Sequence, residues 1–466
     1  MAANSSSTTV KMASDGLWQG ENPLDFALPL LAVQIAVILA VTQGLALALR
    51  ALRQPKVVAE ILGGILLGPS ALGRWAAFRR TVFPPWSSPA LDTVSGLGLL
   101  LFLLLVGLEL DFRAVRRVGP RAVAVAAAGI VPPLLAAPGL VPLLRLAVDP
   151  SPSHHRAGTF LPLCVFVGAA LSVTALPVLA CILKELGLLA TPLGETAMAA
   201  AAVNDVFAWA LLALALSVSG GGATAGPSCH NLAPAYILAS VLAFVAFMLC
   251  ALRPLMARLA RRAASPPLSS SSVSGSGAAV VVACALLAGA ATDAIGVHPV
   301  LGAFVFGLCV PREGGLAGRV GEEVAPLVTG LMLPLYFASS GLRTDIDAVH
   351  GAAAWGMVAL VLAVAFVGKF GGTFAVAAWT GMPRREAAAL GVAMSAKGLV
   401  ELIVLNIGKE RKVLDDTTFA IFVIMALTTT VLATPFMTAL YRSTPTETAP
   451  ENDGTELKGG GDACPA

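Results

Sequence analysis

Charged residues are scarce in this sequence. Of its 466 residues, 12% are charged and 57% are hydrophobic, whereas a soluble globular protein carries about 25% charged residues. Polar and charged groups normally cover much of the surface that faces water, and there are too few of them here. The net charge of +3 is also too small to indicate a nucleic-acid partner. The composition therefore excludes a water-soluble protein and favours one that faces lipid.

The sequence also lacks the short motifs of enzymatic chemistry. It contains no P-loop, no nucleophile elbow and no paired metal motif, so nothing supports ATP-driven pumping or another enzymatic activity. The seven cysteines are scattered without metal-ligand spacing, and the five histidines form no ligand cluster. We predict that the protein is not an enzyme and that it uses no metal or cofactor.

The sequence contains many long apolar runs without charged residues. Uncharged runs of about 18 residues or more are typical of transmembrane helices. We therefore predict an all-α polytopic membrane protein in which residues 27–441 form the transmembrane domain, between a polar N-terminal segment (1–26) and a short disordered cytosolic tail (442–466). Thirteen apolar segments are predicted: 27–49, 57–73, 91–110, 120–146, 157–183, 193–218, 233–253, 278–294, 298–310, 321–341, 353–380, 386–407 and 417–441. The segments 278–294 and 298–310 could instead form a single kinked span.

Lysine and arginine predict the orientation of these segments. Cytoplasmic loops carry an excess of the two residues. If the N-terminus lies outside, most of the 30 Lys and Arg residues fall in cytoplasmic loops, although Arg74, Arg79 and Arg80 break the pattern. The bias predicts a luminal or extracellular N-terminus and a cytosolic C-terminus. It does not say whether the protein lies in the plasma membrane or in an endomembrane.

The order of the segments indicates two inverted repeats. Segments two to six (57–218) and nine to thirteen (298–441) form two groups of five that cross the membrane in opposite senses. The fourth member of each group is interrupted, by LSVTALP (171–177) and by SAKGL (395–399). Broken helices at matching places in two inverted halves are typical of secondary transporters, with the substrate site near the bilayer midplane.

Asp205 is the main candidate for that site. It lies almost midway along the apolar segment 193–218, where a carboxylate costs roughly 2.5–3.5 kcal/mol or more unless it faces protein or a wet cavity. A carboxylate that must lose its proton to hold a cation couples the two ions without further machinery. A structural Asp bonded between helices is the alternative.

Polar neighbours of Asp205 could complete a cation site. Asn204 offers a neutral oxygen ligand, and the hydroxyls of Ser172 and Thr174 can ligate a hard cation or satisfy backbone groups freed by Pro177. For each of these residues a structural role is equally open.

Two lysines lie inside apolar segments. Lys369 would need an anion there, and its pairing with Asp205 in the absence of a cation is the simplest arrangement; snorkelling to the interface is the alternative. Lys397, beside Gly398 in the second interruption, could compensate the carbonyl end of a half-helix or replace a cation's charge. Glu401 is close enough in sequence to form an ion pair with Lys397.

Taken together, these stretches resemble the plant cation/proton exchangers of the monovalent cation:proton antiporter-2 family. The resemblance runs from about residue 25 to 441. It is carried by QPKVVAEILGGILLGPSALGR (54–74), LSVTALPVLACILKELGLL (171–189), AAVNDVFAW (201–209), DAIGVHPVLGAFVFGL (293–308), GKFGGTF (368–374) and SAKGLVELIVLNIGKERKVLDDTTFA (395–420).

The resemblance implies a sodium/proton antiporter-like fold with crossing broken helices, a homodimer in the bilayer, and exchange of K⁺ or Na⁺ for H⁺, with K⁺ favoured over Na⁺. It assigns ion binding to Asp205, Asn204 and Thr174, and charge compensation to Lys369 and Lys397.

Members of the family usually continue into a long cytosolic region, which these 466 residues do not include. Two alternatives therefore stay open: a transport-inactive short paralogue that dimerises with longer exchangers, and a K⁺ channel-like leak pathway, although no TVGYG-like filter is present.

Overall fold

The chain folds into membrane-length helices in a computed structural model. The structure describes residues 13–15, 17–51, 54–109, 120–148, 160–188, 191–219, 233–263, 274–312 and 315–441. The predicted tail (442–466) and most of the polar segment 1–26 lie outside this range. In the first half of the chain the helices are α1 (Ala27–Arg50), α2 (Lys56–Leu67), α3 (Ala76–Val82), α4 (Ser88–Glu109), α5 (Pro120–Val148), α6 (Phe160–Ser172), α7 (Leu176–Glu185) and α8 (Pro192–Ser219).

The second half continues in the same way. Short π-helical turns at Met248–Leu252 and Val328–Met332 join α9 to α10 and α13 to α14. The helices are α9 (Ala233–Phe247), α10 (Arg253–Ala263), α11 (Ser274–Ile295), α12 (Pro299–Cys309), α13 (Leu316–Leu327), α14 (Leu333–Leu342), α15 (Gly351–Trp379), α16 (Arg384–Ser395), α17 (Leu399–Glu410) and α18 (Asp416–Tyr441).

The all-α membrane architecture is confirmed. Among the described residues, 11 helical stretches are long and apolar enough to cross a bilayer. Two shorter apolar helices, Phe160–Ser172 and Pro299–Cys309, fall within the predicted segments 157–183 and 298–310. Region 278–310 is two helices that pack on each other, not one kinked span. The count of thirteen crossings stays a prediction.

Reciprocal packing relates the two halves. Helix α2 packs on α14, and their counterparts α12 and α4 pack on each other in the same way. The other contacts correspond in the same way: α5 with α6 matches α15 with α16, α6 with α8 matches α16 with α18, and α7 with α8 matches α17 with α18. Helices α5 and α15 are counterparts of each other, and they pack directly together. Each half repeats the other, as expected for inverted repeats.

Matching glycines allow the two reciprocal helix pairs to approach closely. A Cβ at Gly64 of α2 would lie 2.2 Å from the carbonyl oxygen of Ala338 on α14. A Cβ at Gly307 of α12 would lie 2.5 Å from the carbonyl oxygen of Leu104 on α4. Small residues at such crossings let helix backbones make van der Waals contact, which drives helix association in lipid.

These contacts divide the helices into two sets. Helices α1, α2, α4 and α11–α14 pack mainly on one another, and we call them the scaffold bundle. Helices α5–α8 and α15–α18 pack mainly on one another, and we call them the core bundle. Both interrupted helices, α6/α7 and α16/α17, belong to the core bundle.

The contact between α5 and α15 can be tested at two adjacent glycines of α15. A Cβ at Gly372 would lie 2.0 Å from the carbonyl oxygen of Ala128, whereas a Cβ at Gly371 meets nothing within 4 Å. Gly372→Val should lower the free energy of unfolding by about 1–3 kcal/mol or more through overpacking. Thermal unfolding in detergent measures this loss. Gly371→Val is the matched control, and equal losses in both variants would contradict the packing described here.

Candidate functional site

The two interrupted helices meet inside the core bundle. Residues 173–175 and 396–398 are not helical, so both predicted interruptions are confirmed. The Thr174 hydroxyl donates to the carbonyl oxygen of Met394 at 2.8 Å, and the Lys397 ammonium donates to the carbonyl oxygens of Ala170 and, at 2.9 Å, Leu171. Each break thus supplies a donor to the carboxyl end of the opposite half-helix.

Close approach of the breaks depends on a small residue. A Cβ at Gly398 would lie 2.7 Å from Cγ2 of Val178 and 3.2 Å from Cβ of Ala175. Any larger residue at this position would push the two breaks apart. Gly398 is therefore required by the narrow space between the breaks.

Asn204 of α8 bridges the first break. Its Oδ1 accepts the backbone N–H of Thr174 at 3.0 Å, and its Nδ2 donates to the carbonyl oxygen of Ser172 at 3.2 Å. The side chain is 1% exposed. Backbone groups freed by a break in a membrane helix need such partners. Asn204 thus has the structural role that the sequence left open, and its role as a cation ligand stays a prediction.

The hydroxyl of Ser172 is also occupied. It donates to the carbonyl oxygen of Gly168 at 2.7 Å, one turn back in α6. Ser395 of the second break does the same toward Gly391 at 2.8 Å. What Ser172 presents to the break is its backbone carbonyl, because that oxygen accepts from both Asn204 and Lys369.

Asp205 is buried near the middle of α8. Its side chain is 1% exposed, and its Oδ1 has no hydrogen-bond partner among the described residues. A buried carboxylate oxygen without a partner is costly, and native structures rarely leave one without a reason. The free oxygen lies beside Asn204, whose bonds hold the first break in place. Asp205 therefore has a buried oxygen that no donor among the described residues satisfies.

Lys369 of α15 reaches the same break and does not form the expected ion pair with Asp205. Its ammonium donates to the carbonyl oxygen of Ser172 and to the hydroxyl of Thr174, both at 2.5 Å. No ion pair within 4.0 Å joins Lys369 and Asp205, although the lysine's charge acts on that carboxylate. The carbonyl end of α6 carries partial negative charge, and this end competes with Asp205 for the ammonium.

A second charged pair lies beside the second break. Lys397 and Glu401 are 3.7 Å apart, both fully buried and one helical turn from each other. The Thr430 hydroxyl of α18 donates to the Lys397 carbonyl oxygen at 2.6 Å. The ion pair that the spacing of Lys397 and Glu401 predicted is confirmed. Sequence reasoning missed the contact of Thr430, which only the packing of α18 on α17 brings here.

The interior of the core bundle therefore contains two carboxylates and two ammonium groups within one cluster. Asp205 and Glu401 balance Lys369 and Lys397 in formal charge when all four are ionised. Both lysines point at carbonyl oxygens near the end of α6, so the charges follow the polarity of the half-helix. Three carboxylate oxygens of this cluster have no hydrogen-bond partner among the described residues: Oδ1 of Asp205 and both side-chain oxygens of Glu401. Glu401 still has the Lys397 ammonium at 3.7 Å, whereas Asp205 has no ion-pair partner in the described part of the chain.

Known proteins share this sequence and fold. The family model described as sodium/hydrogen exchanger, transmembrane, matches residues 36–442. Cation/H(+) antiporter 20 of Arabidopsis thaliana is 52% identical over 436 residues, which cover 93% of this chain and 51% of that protein. Na(+)/H(+) antiporter NhaS4 of Synechocystis sp. is 33% identical over 414 residues, which cover 88% of this chain and 97% of that protein.

A solved structure supports the fold. The sodium proton antiporter MjNhaP1 from Methanocaldococcus jannaschii superimposes with a TM-score of 0.58 and 15% sequence identity, covering 88% of this chain and 95% of that one. The chain spans about half the length of the plant relatives that it matches, such as Arabidopsis antiporter 20. With its architecture and its sequence in agreement, the chain belongs to the sodium/hydrogen exchanger transmembrane family, alongside the plant cation/H⁺ antiporters.

Proposed function

We propose that this chain is a secondary antiporter that exchanges a monovalent cation for H⁺ by alternating access at Asp205. The single observation that carries the proposal is the buried Oδ1 of Asp205, which has no hydrogen-bond partner beside two crossing broken helices. A proton on this carboxylate excludes a cation from it, and loss of the proton opens the position. One group then serves both ions in turn.

The charges of the cluster support one-for-one exchange. Asp205 and Glu401 balance Lys369 and Lys397, so the ionised cluster is neutral in formal charge. Either a proton or a monovalent cation at Asp205 adds one positive charge. The two loaded states are therefore electrically equivalent inside the bilayer, where an uncompensated charge is costly.

The Lys369 ammonium takes the place of the transported cation when none is bound. Its ammonium occupies the Ser172 carbonyl oxygen and the Thr174 hydroxyl, both at 2.5 Å. Hard cations prefer carbonyl, hydroxyl and carboxylate oxygens. When an external cation binds at Asp205, Lys369 releases these oxygens to it; when the cation leaves, the ammonium returns.

We propose K⁺ as the preferred cation, with Na⁺ as the competitor to be measured beside it. Among the relatives, K(+)/H(+) antiporter 1 of Saccharomyces cerevisiae is 31% identical over 464 residues, 95% of this chain and 52% of that protein. The oxygen ligands at the break suit either ion. We further propose that the chain works as a homodimer in the bilayer, with its N-terminus luminal or extracellular and its C-terminus cytosolic.

The central test is flux driven by a proton gradient in proteoliposomes. Asp205→Asn keeps the shape of the side chain and removes its charge and its proton site. We expect K⁺ and Na⁺ flux in this variant to fall to the leak of protein-free liposomes. Asp293→Asn, at an exposed position near the end of α11, is the matched control and should exchange like the wild type.

The other outcomes of this test separate the alternatives. Equal flux in the wild type and Asp205→Asn would remove Asp205 from the mechanism. Flux that is independent of the proton gradient and much faster than a carrier's turnover would indicate a leak pathway. A folded wild type without flux, which co-purifies with a longer exchanger, would indicate a transport-inactive partner.

The buried ion pair gives a second prediction. Glu401→Gln leaves Lys397 as a buried charge without its counter-ion, which costs about 3–5 kcal/mol in comparable pairs. We expect lower thermal stability and weaker flux. The double variant Lys397→Met, Glu401→Gln removes both charges and should recover most of the stability without recovering transport. A double variant as unstable as Glu401→Gln would show that the charge balance is not the cause.

A further inference from the structure

A row of polar contacts joins the core bundle to the scaffold bundle at one end of the molecule. Asn406 of α17 donates to the Tyr336 hydroxyl at 3.0 Å and accepts from the Ser340 hydroxyl at 3.3 Å, both on α14. One turn further along α17, Glu410 forms an ion pair with Arg343 at 3.2 Å. These contacts follow a single face of α17.

Arg343 is the centre of this row. It follows α14 directly, and its guanidinium also forms an ion pair with Asp92 of α4 at 2.6 Å. Asp92 is in turn held by the Ser339 hydroxyl at 3.1 Å. The backbone carbonyl oxygen of Arg343 accepts from the Lys409 ammonium at 2.8 Å. One arginine thus connects two scaffold helices to the last turn of a core helix.

Helix α17 connects this row to the proposed ion site. Its first turn carries Glu401, the partner of Lys397 at the second break. Its last turn carries Glu410. At 1.5 Å per residue, these two positions lie about 13 Å apart along one rigid helix. A movement of the second break therefore moves Glu410 relative to Arg343.

A small cavity lies at the same place between the bundles. It has a volume of about 60 Å³ and is lined by both bundles, with Asp92, Ser95, His298, Tyr336, Asn406 and Glu410 among its residues. This volume holds a few water molecules. The acidic and basic side chains at the cavity, besides the imidazole of His298, are those of Asp92, Arg343 and Glu410.

We propose that Arg343, Glu410, Asn406 and Tyr336 form a lock between the two bundles, and that this face opens toward Asp205 only when the lock breaks. The inference rests on the proposed exchange by alternating access. Contacts of 3.0–3.3 Å between the bundles do not survive a shift of several ångströms between two packed bodies, so they must separate in each cycle. The predicted orientation places this face on the outside.

The strength of these contacts suits a reversible lock. The side chains of Arg343 and Glu410 are 30% and 51% exposed, and ion pairs with such access to water are individually weak. The cavity beneath them lets water replace each bond as it breaks. A deeply buried pair at this position would hold the face shut instead.

Cysteine bridging tests the lock directly. In the double variant Ser340→Cys, Asn406→Cys, the two side chains replaced are in contact across the bundles. We expect a short bis-methanethiosulfonate bridge between them to stop proton-driven cation flux in proteoliposomes, and a reductant to restore it. Each single cysteine variant, treated in the same way, controls for the seven native cysteines.

The matched control is an exposed pair at the same end of the molecule, between the short segments that follow the scaffold helices α2 and α14. Arg74 and Asp347 form an exposed ion pair, and Arg74→Cys, Asp347→Cys places two thiols there. Bridging this pair should leave flux unchanged. Undiminished flux in the bridged Ser340–Asn406 variant would overturn the lock.

A labelling experiment tests the lock without relying on transport. Ser95 of α4 lines the cavity and is 3% exposed. In nanodiscs, a cysteine at Ser95 should react with a hydrophilic thiol reagent several-fold faster after Arg343→Gln than before it. Arg74→Gln, which breaks the exposed pair of Arg74 and Asp347, should leave that rate unchanged.

The two experiments separate failure of the lock from failure of the proposed function. If the unbridged wild type shows no exchange, the antiporter proposal fails and labelling alone decides whether the lock exists. An unchanged labelling rate after Arg343→Gln would overturn the lock even if the exchanger is active.

Discussion

Backbone groups exposed where two membrane helices break are the constraint on which this structure depends. Inside a bilayer, no water is at hand to satisfy the N–H and C=O groups that a break frees, and each unsatisfied group costs several kcal/mol. Side chains satisfy these groups instead. Asn204 bonds the backbone at the first break, and Lys397 of the second break donates to carbonyl oxygens at the carboxyl end of α6. The residues that satisfy the breaks are therefore the ones that surround the proposed ion site.

Charge balance follows from the same constraint. A lysine placed at the carbonyl end of a half-helix brings a positive charge into the interior, and a carboxylate must offset it. Glu401 offsets Lys397 at 3.7 Å. Lys369 is offset more loosely, because its ammonium bonds neutral oxygens while Asp205 stays out of ion-pair range. Asp205 is therefore the carboxylate of this cluster without a close counter-ion, which is the property that the proposed exchange uses.

The inverted repeat produces two bundles of different character around the buried charges. Glycines at Gly64 and Gly307 allow reciprocal close contacts within the scaffold bundle, so that bundle forms a firm surface beside the core bundle. The core bundle, in contrast, contains the breaks and the buried charges. Polar contacts of α17 with the scaffold bundle lie about 8 Å (Asn406) and about 13 Å (Glu410) along the helix from Glu401. A change of charge at the breaks can thus reach the interface between the bundles through one helix.

Sequence alone determined the membrane architecture, the two interruptions and the identity of the buried charges. Apolar runs and paired breaks are properties of spacing along the chain, and a helix keeps that spacing because each residue adds a fixed rise along its axis. Tertiary structure decided which polar groups meet. The expected pairing of Lys369 with Asp205 was wrong, because the carbonyl end of α6 competes for the ammonium. Contacts such as Thr430 with Lys397, or Arg343 with Asp92 and Glu410, join helices far apart in the chain. No local pattern encodes their distance, since that distance is set by how the helices pack.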